Sequence, residues 1–509
     1  MSRFSWYPSA DSKRVEATSS PRGLLRVIAG GTLNYGLGST LPLAIGFLLI
    51  PIYTSILTPA DYGIVDMSAA LAAVVTVFMR LGVPGAVTRF YYEHAEGPEL
   101  RDYVTSIAWF LRVSAIGVGA VVLVILYFWG HRLVPGLPFL PFGVLTVVVS
   151  ALSVNSDLQR RLVQVRRQSS YSAKLSIANS LLSIALAITF VVGLRWGALG
   201  MLAAQAITGC AFLINATMYL WPDLKGATRP RILKDSIQYG TGIFASHLMT
   251  SGGPFVSRAL LAGVASISSV GLYALANRVT SPLSILSQAF QTAYVPEYFA
   301  ARKDGSAGAL QSLAKAESSF WTVGVQGTLA AAVLGPTAVT LMTPHRFHAA
   351  APLVPILALG FLAQMLYALM SPEMFYVKKR WLPPLVTGTN IATTVLLTFA
   401  LVKPYGAHGV AWASVAGSMA GGLVCILLAA RTAPIPHDWT SLFRAVGVSL
   451  TAFAGFTLLT PARPVASLAF GASIVAANAL VLFLAGDPLM RRLPFEIRLR
   501  LFPKAEVAR

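Results

Sequence analysis

The chain has 509 residues, of which 55% are hydrophobic and only 11% are charged. Soluble proteins usually carry about 25% charged residues, so this composition excludes a soluble globular domain and favours a membrane protein. The formal net charge of +20 can be explained without a nucleic-acid partner, because cytoplasmic loops of membrane proteins collect Lys and Arg beside anionic lipid headgroups.

Apolar runs long enough to cross roughly 30 Å of hydrocarbon recur from residue 31 onward. They predict an all-α polytopic membrane protein of about fourteen transmembrane helices. The predicted spans are 31–53, 62–82, 106–129, 138–157, 174–194, 197–220, 237–260, 270–294, 319–342, 351–376, 382–402, 407–430, 445–461 and 465–486. The connections between the spans are short, which leaves no room for a soluble catalytic domain.

The spans group into two lobes of six helices, followed by two additional helices. The predicted units are a cytoplasmic tail at 1–27, an N-terminal lobe at 28–222, a C-terminal lobe at 223–431, the additional helices at 432–487 and a basic cytoplasmic tail at 488–509. The first 27 residues are polar and the first apolar run is long, so that run is expected to stay as an anchor rather than be cleaved.

Short motifs indicate that the two lobes are a parallel repeat. Tyr35-Gly36 opens the first predicted span and Tyr239-Gly240 opens the seventh, with Pro51 and Pro254 at similar distances downstream. Matching glycines and a helix-breaking proline in corresponding places are typical of transporters built from repeats. Tyr-Gly and Pro are also common in membrane helices, so coincidence is the alternative.

The distribution of positive charge sets the predicted orientation. With the N-terminus in the cytoplasm, the inner segments hold most of the 39 Lys and Arg residues. The outer segments keep only a few, namely Arg132, Arg195, Arg346, Lys403 and Arg463. Because Lys and Arg collect on the cytoplasmic side, both termini are expected to be cytoplasmic, with anionic lipid headgroups beside the basic loops.

Three motifs in order along the chain carry a resemblance to a known family. They are Leu57–Gly63 (LTPADYG), Leu81–Ala86 (LGVPGA) followed by Arg89, and Val270–Ala276 (VGLYALA) followed by Arg278. The chain resembles the polysaccharide-transport branch of the multidrug/oligosaccharidyl-lipid/polysaccharide (MOP) exporter superfamily, the O-antigen and exopolysaccharide flippases. The resemblance covers nearly the whole chain in span number and loop length.

The resemblance implies two six-helix lobes in a V, with two extra helices beside them, in the bacterial inner membrane. It further implies a flippase that moves an undecaprenyl-diphosphate-linked glycan from the cytoplasmic to the periplasmic leaflet by alternating access. Such flippases often use a cation gradient, so H⁺ or Na⁺ coupling is an expectation, as is association with polysaccharide polymerase or assembly proteins. No other cofactor and no catalytic residue are expected.

Arginines within or beside the spans are the candidate substrate-binding residues. A diphosphate headgroup needs a wet, cationic cavity, and an Arg fork can bind phosphate bidentately. Arg258 and Arg278 are predicted to line such a cavity, with Arg80 and Arg89 at the cytoplasmic end of the second span. The alternatives are snorkelling to headgroups for the first two and ordinary cytoplasmic anchoring for the others. Family members often carry Asp before the arginine of the seventh span, where this chain has Ser257.

Two further ionisable residues are candidates for ion coupling. Asp66 in the second span and His247 in the seventh can each exchange a proton, and Asp66 can also bind Na⁺. The alternatives are an interfacial carboxylate for Asp66 and an interhelical hydrogen bond for His247. Glu297 and Glu373 are candidate gate or interface residues, paired with cations such as Arg302 or Lys378.

The sequence also bears on metal sites and on direct ATP use. Cys210 and Cys425 lie within apolar stretches, so neither a disulfide framework nor a Cys-based metal site is expected. The sequence contains no Gly-x-x-x-x-Gly-Lys-Ser/Thr loop, which argues against direct ATP use.

Three other functions are weighed against a flippase. A cation-coupled drug or small-molecule antiporter of the same superfamily usually has twelve spans. A membrane glycosyltransferase or polymerase should carry a sizeable loop with paired carboxylates, which the sequence does not show. A structural scaffold would leave the intramembrane charges without a role.

Overall fold

The apolar runs fold as α-helices because a backbone in hydrocarbon must satisfy its hydrogen bonds within the chain. The computed structural model describes residues 45–94, 97–166, 168–376, 381–432, 438–459, 461 and 464–484. Within these residues no β-strand occurs. The α-helices are α1 (Ile50–Ile56), α2 (Pro59–Arg80), α3 (Val83–Phe90), α4 (Pro98–Leu133), α5 (Val144–Val165), α6 (Ser169–Ile188), α7 (Gly197–Leu220), α8 (Pro230–Val264), α9 (Ile267–Asp304), α10 (Ala307–Met342), α11 (Leu353–Tyr376), α12 (Leu382–Thr432), α13 (Trp439–Leu459) and α14 (Pro464–Leu484).

The helices confirm the predicted all-α membrane architecture. Ten described helical segments are long and apolar enough to cross a membrane, which makes the chain an integral membrane protein. α12 covers two predicted spans. They are separated by Gly406, where the backbone is non-helical (φ 52°, ψ −127°). Each predicted span from 62–82 onward coincides with a described helix, but α8 and α9, which contain the seventh and eighth spans, are not among the ten segments. The predicted tails 1–27 and 488–509, and the beginning of the first span, lie outside the described residues.

Several helices of the C-terminal lobe are longer than a membrane requires. α8, α9 and α10 contain 35, 38 and 36 residues, which corresponds to more than about 50 Å at 1.5 Å per residue. Each is therefore longer than the roughly 30 Å thickness of the hydrocarbon. α8 continues through Pro254, so the expected helix break at this proline is wrong. Proline removes one backbone donor, but a packed membrane helix tolerates that loss.

The LTPADYG motif forms the start of α2. The Thr58 backbone N–H donates to Asp61 Oδ2 (2.9 Å), and the Asp61 backbone N–H donates to Thr58 Oγ1 (3.1 Å). Pro59 occupies the first turn, where its missing N–H costs no hydrogen bond. Asp61 Oδ1 also accepts a hydrogen bond from the Ala198 backbone N–H (3.3 Å), so the motif ties α2 to α7.

A first glycine contact joins the two lobes where α2 begins, and it is called the Pro59-end contact. A Cβ atom at Gly63 of α2 would lie 1.9 Å from the backbone oxygen of Ile267 in α9. A Cβ atom at Gly271 of α9 would lie 1.9 Å from the backbone oxygen of Pro59. Since no side chain fits at either position, the two backbones meet only because both residues are glycine.

A second glycine contact joins the lobes where α2 ends, and it is called the Arg80-end contact. Gly82 has φ +72°, and a Cβ atom there would lie 2.1 Å from the backbone oxygen of Gly240 in α8. A Cβ atom at Gly240 would lie 2.6 Å from the backbone oxygen of Leu81. α2 has 22 residues, so about 33 Å separates the two contacts.

The segment that connects the lobes, residues 221–229, is bound tightly to α4. Asp102 of α4 accepts hydrogen bonds from the Ala227 backbone N–H (2.7 Å) and from Arg229 Nε (2.6 Å). The Thr105 hydroxyl donates to the backbone oxygen of Asp223 (3.0 Å). A Cβ atom at Gly226 would lie 2.4 Å from the backbone of α4. This connecting segment is therefore part of the N-terminal lobe rather than a free tether.

An ion pair beyond the end of α5 also holds the connecting segment. Arg166 donates to Asp223 Oδ2 (2.7 Å) and to the hydroxyls of Tyr91 and Tyr219. Burial disfavours the charged guanidinium, but these hydrogen bonds and the Asp223 charge outweigh it and raise the pKa of Arg166. Arg166 therefore remains a cation at this junction.

The additional helices α13 and α14 are attached to α10 by polar contacts. Trp321 Nε1 donates to the backbone oxygen of Leu442 (3.0 Å). Asn478 Nδ2 donates to Gln326 Oε1 (2.5 Å) and to Ser449 Oγ (3.0 Å). Such interhelical hydrogen bonds give directional attachment in a lipid environment.

Candidate functional site

Two adjacent cavities, one in each lobe, meet at α9. The first, of about 660 Å³, is lined by α8, α9, α11 and α12 of the C-terminal lobe. The second, of about 510 Å³, is lined mainly by α1, α2, α6 and α7 of the N-terminal lobe and is closed by α9. Asn277 and Ser281 of α9 line both cavities, so we treat them together as the central vestibule.

A salt bridge between the lobes crosses the central vestibule. Arg258 Nε of α8 donates to Asp66 Oδ2 of α2 at 2.5 Å, with the two side chains only 14% and 23% exposed. Arg258 lines the 660 Å³ cavity, whereas Asp66 lines the 510 Å³ cavity. The guanidinium also lies 5.8 Å from the ring centroid of Tyr273. Ser257 offers no carboxylate beside Arg258, and the partner carboxylate comes from Asp66 in the N-terminal lobe.

Arg278 of α9 lines the 510 Å³ cavity and is exposed to it. Within the described residues, no carboxylate lies within ion-pair distance of its guanidinium. Gly46 makes room for it, because a Cβ atom at Gly46 would lie 2.9 Å from Arg278 NH2. The guanidinium is therefore available for charge-assisted hydrogen bonds to an anionic guest in this cavity.

Neutral polar groups line the rest of the central vestibule. Amides and hydroxyls surround the 660 Å³ cavity, including Thr250, Asn277, Thr280, Ser281, Ser284, Gln364, Thr387, Asn390, Thr394, Ser414 and Ser418. Gln205 lines the 510 Å³ cavity. Sequence reasoning missed Asn277 and Ser281, because neutral polar residues in a membrane helix carry no signal that separates cavity lining from helix packing.

A third cavity, of about 320 Å³, lies between α2, α3, α5 and α8. Arg80 and His247 line it together with Asp157 and Arg161. Arg80 NH1 pairs with Asp157 Oδ2 at 2.6 Å, and Arg80 NH2 donates to Ser153 Oγ at 3.3 Å. The two candidates for ion coupling are therefore apart, since Asp66 lines the central vestibule and His247 lines this third cavity.

Arg89 is on the surface of α3 and lines none of the three cavities. Its Nε lies 3.8 Å from Glu93 Oε1, with both side chains more than half exposed. The guanidinium also lies 5.0 Å from the ring centroid of Tyr239 on α8. Arg89 thus contacts the C-terminal lobe at the Arg80 end, outside the central vestibule.

The candidate gate carboxylates lie near one end of the C-terminal lobe. Glu297 of α9 is partly buried, whereas Glu373 of α11 is completely buried. Glu373 is within electrostatic range of Tyr298, whose hydroxyl accepts a hydrogen bond from Arg302 Nε (3.2 Å). The sequence missed Glu317, which precedes the predicted ninth span but is buried in α10 and accepts a hydrogen bond from the Tyr294 hydroxyl.

In the part of the chain that the structure describes, no group of three or more His, Cys, Asp or Glu side chains could hold a metal ion. Cys210 is exposed and Cys425 is buried beside Met374, and the two are not bonded to each other.

Comparison with known proteins identifies both the family and the fold. The model of a family described as "Polysaccharide biosynthesis protein" matches residues 28–300. The solved structure of the lipid II flippase MurJ in an inward closed conformation matches with TM-score 0.71 and 12% identity, over 88% of this chain and 98% of MurJ. No curated protein matches the sequence.

Transporters of the MATE family match as well. An inward-facing multidrug resistance MATE transporter of the MOP superfamily gives TM-score 0.62 and 14% identity, over 75% of this chain and 93% of that one. An outward-facing structure gives TM-score 0.52 and 15% identity, over 82% of this chain and 98% of that one. These similarities show that the chain has the fold of MOP transporters.

Proposed function

Because the chain belongs to the polysaccharide biosynthesis protein family, we propose that it is a flippase for a polyprenyl-diphosphate-linked oligosaccharide. It carries this substrate from the cytoplasmic to the periplasmic leaflet of the bacterial inner membrane, for the synthesis of a cell-surface polysaccharide. The termini face the cytoplasm, so the Arg80 end of α2 is the cytoplasmic end. A polysaccharide polymerase or assembly protein receives the product.

The observation that supports this proposal most directly is the central vestibule with Arg278 inside it. A sugar diphosphate does not cross hydrocarbon, because desolvating its charges is too costly. The Arg278 guanidinium compensates phosphate charge with charge-assisted hydrogen bonds, while the amides and hydroxyls of the 660 Å³ cavity pair with sugar hydroxyls. The prenyl chain stays in the lipid, because hydrocarbon solvates its apolar surface better than water does.

The Asp66–Arg258 salt bridge provides a place for ion coupling. While the two side chains are paired, neither charge is available to a guest. A proton or Na⁺ at Asp66 replaces Arg258 as the counter-charge and releases the guanidinium toward the diphosphate. Cation binding and substrate binding are then linked through one carboxylate, because each favours the unpaired state of Arg258.

The test of this function is a complementation experiment in a strain that lacks the protein. Without it, the lipid-linked repeat is expected to accumulate in the cytoplasmic leaflet. Arg278→Ala should reduce export of the glycan by roughly tenfold to a hundredfold, the equivalent of about 1.5–3 kcal/mol for lost hydrogen bonds to a charged group. Export and leaflet distribution are measured at matched membrane abundance.

The matched control is Arg132→Ala, which removes the same charge from an exposed position at the far end of α4. Arg132 lines none of the three cavities, so this variant should export as the unmodified protein does. Full export by Arg278→Ala, or an unchanged periplasmic pool in the deletion strain, would contradict the proposed function.

A further inference from the structure

The 320 Å³ cavity is separate from the central vestibule. It shares no lining residue with either of the two larger cavities. α2, α3 and α5 of the N-terminal lobe form one wall, and His247 and Ser251 of α8 form the other. A ligand bound here would touch both lobes at the Arg80 end.

The cavity holds more positive than negative charge. Asp157 is its only carboxylate among the described lining residues, and it is already paired with Arg80. Arg161 also lines the cavity, and within the described part of the chain it has no salt bridge. Arg160 and Arg161 both lie close enough to Arg80 for their like charges to repel it, but only Arg161 lines the cavity. The cavity thus holds two guanidiniums and one carboxylate, which leaves a positive charge that an anion would neutralise.

The donors in the cavity suit a phosphate group. Arg80 Nε is buried and has no hydrogen-bond partner among the described residues. The Arg161 guanidinium and the His247 imidazole supply further donors. The N-terminal end of α3 lines the same cavity through Gly82, Pro84 and Gly85, and it adds partial positive charge rather than a free donor, because the Gly85 N–H donates to the Gly82 oxygen (3.0 Å). A tetrahedral anion accepts hydrogen bonds in several directions and matches this arrangement.

We infer that the cavity lined by Arg80, Arg161 and His247 is a second anion site, which binds the phosphate part of a lipid headgroup where the two lobes meet. Its volume is about half that of the larger vestibule cavity, so it accommodates a phosphate or diphosphate group rather than an oligosaccharide. The assignment of the diphosphate to the transported substrate rests on the proposed function. The anion site itself does not, because it follows from its own residues.

The test uses the full-length protein in the Arg278→Ala background, which removes the unpaired guanidinium of the central vestibule. Binding of inorganic diphosphate is measured by calorimetry in detergent. Retention of phosphatidylglycerol, against phosphatidylcholine as reference, is measured by native mass spectrometry. Adding Arg161→Ala should weaken one of these interactions at least tenfold. The matched control is Arg160→Ala, since Arg160 is the exposed neighbour and its charge also acts on Arg80, but it does not line the cavity.

The outcomes separate the two sources of the phosphate group. Selective loss of diphosphate binding in Arg161→Ala supports the site and assigns it to the diphosphate of the substrate. Selective loss of phosphatidylglycerol, with no diphosphate binding, supports the site and assigns it to a membrane lipid. Equal losses in Arg161→Ala and Arg160→Ala, or binding of neither probe, would overturn it. Since none of these measurements involves export, they stand apart from the Arg278 experiment that tests the proposed function.

Discussion

The pairing of Asp66 with Arg258 can be tested by removing each charge alone and both together. Each single change, Asp66→Asn or Arg258→Gln, leaves the other charge partly buried without its partner. Each should therefore lower the free energy of unfolding by about 1–3 kcal/mol. The double variant should lose less than the sum of the two, because it leaves no unpaired charge. Unfolding is followed in detergent by intrinsic fluorescence.

The exposed pair Arg89–Glu93 serves as the control for this cycle. Its atoms are 3.8 Å apart and both side chains are more than half exposed, so Glu93→Gln should change stability little. Strictly additive losses at Asp66 and Arg258 would show that the salt bridge does not form. Sequence reasoning identified both residues as intramembrane charges but not as a pair. They are separated by 192 positions, and hydropathy gives no information on which helices face each other.

Among the elements, the connecting segment 221–229 is held by Asp102 and its neighbours on α4 and by the Arg166–Asp223 ion pair. Asp102→Asn removes the negative charge that accepts from Ala227 and Arg229. This change should lower the unfolding temperature measurably and increase proteolysis within the segment, because Arg229 loses its counter-charge. Limited trypsin digestion and scanning fluorimetry measure the two effects.

Glu99→Gln lies one turn earlier on α4 and provides the comparison for Asp102→Asn, since it makes the same change of charge on the same helix. Faster cleavage in both variants would indicate a general loosening of α4 and not a specific role of Asp102.

The helices could largely be predicted from the sequence, whereas the ends of the helices and the contacts between them could not. The predicted spans correspond to described helices because an apolar run of about twenty residues in lipid has little alternative to a helix. The predicted seventh and eighth spans underestimated α8 and α9, since these helices continue into polar surroundings where hydropathy falls. The burial of Glu317 was not predicted for a related reason. Glu317 precedes the apolar run of the ninth span, but α10 begins before it and buries its side chain.

For the whole molecule, glycines of the sequence motifs form the contacts between the two lobes. Gly63 ends the LTPADYG motif and Gly271 belongs to the VGLYALA motif, and together they form the Pro59-end contact. Gly82 and Gly240 come from the other motifs and form the Arg80-end contact. In the proposed alternating-access cycle only one end opens at a time, so these two contacts are the surfaces that we expect to separate in turn. The sequence showed the motifs but not that their glycines pair across the lobes.

A methyl group placed at one glycine contact should therefore force that end open. Gly271→Ala puts a Cβ atom 1.9 Å from the Pro59 oxygen, and Gly240→Ala puts one 2.6 Å from the Leu81 oxygen. Neither clash is relieved by a rotamer change, because the neighbour is backbone in both cases. With single cysteines in a background lacking Cys210 and Cys425, Gly271→Ala should increase labelling of the vestibule from the periplasmic side. Gly240→Ala should increase labelling from the cytoplasmic side.

Gly242→Ala is the matched control, since a Cβ atom there meets nothing within 4 Å. Equal labelling from both sides in the two variants would show that the contacts do not act as separate gates. Opposite labelling would establish that backbone contact between paired glycines is what holds each end closed.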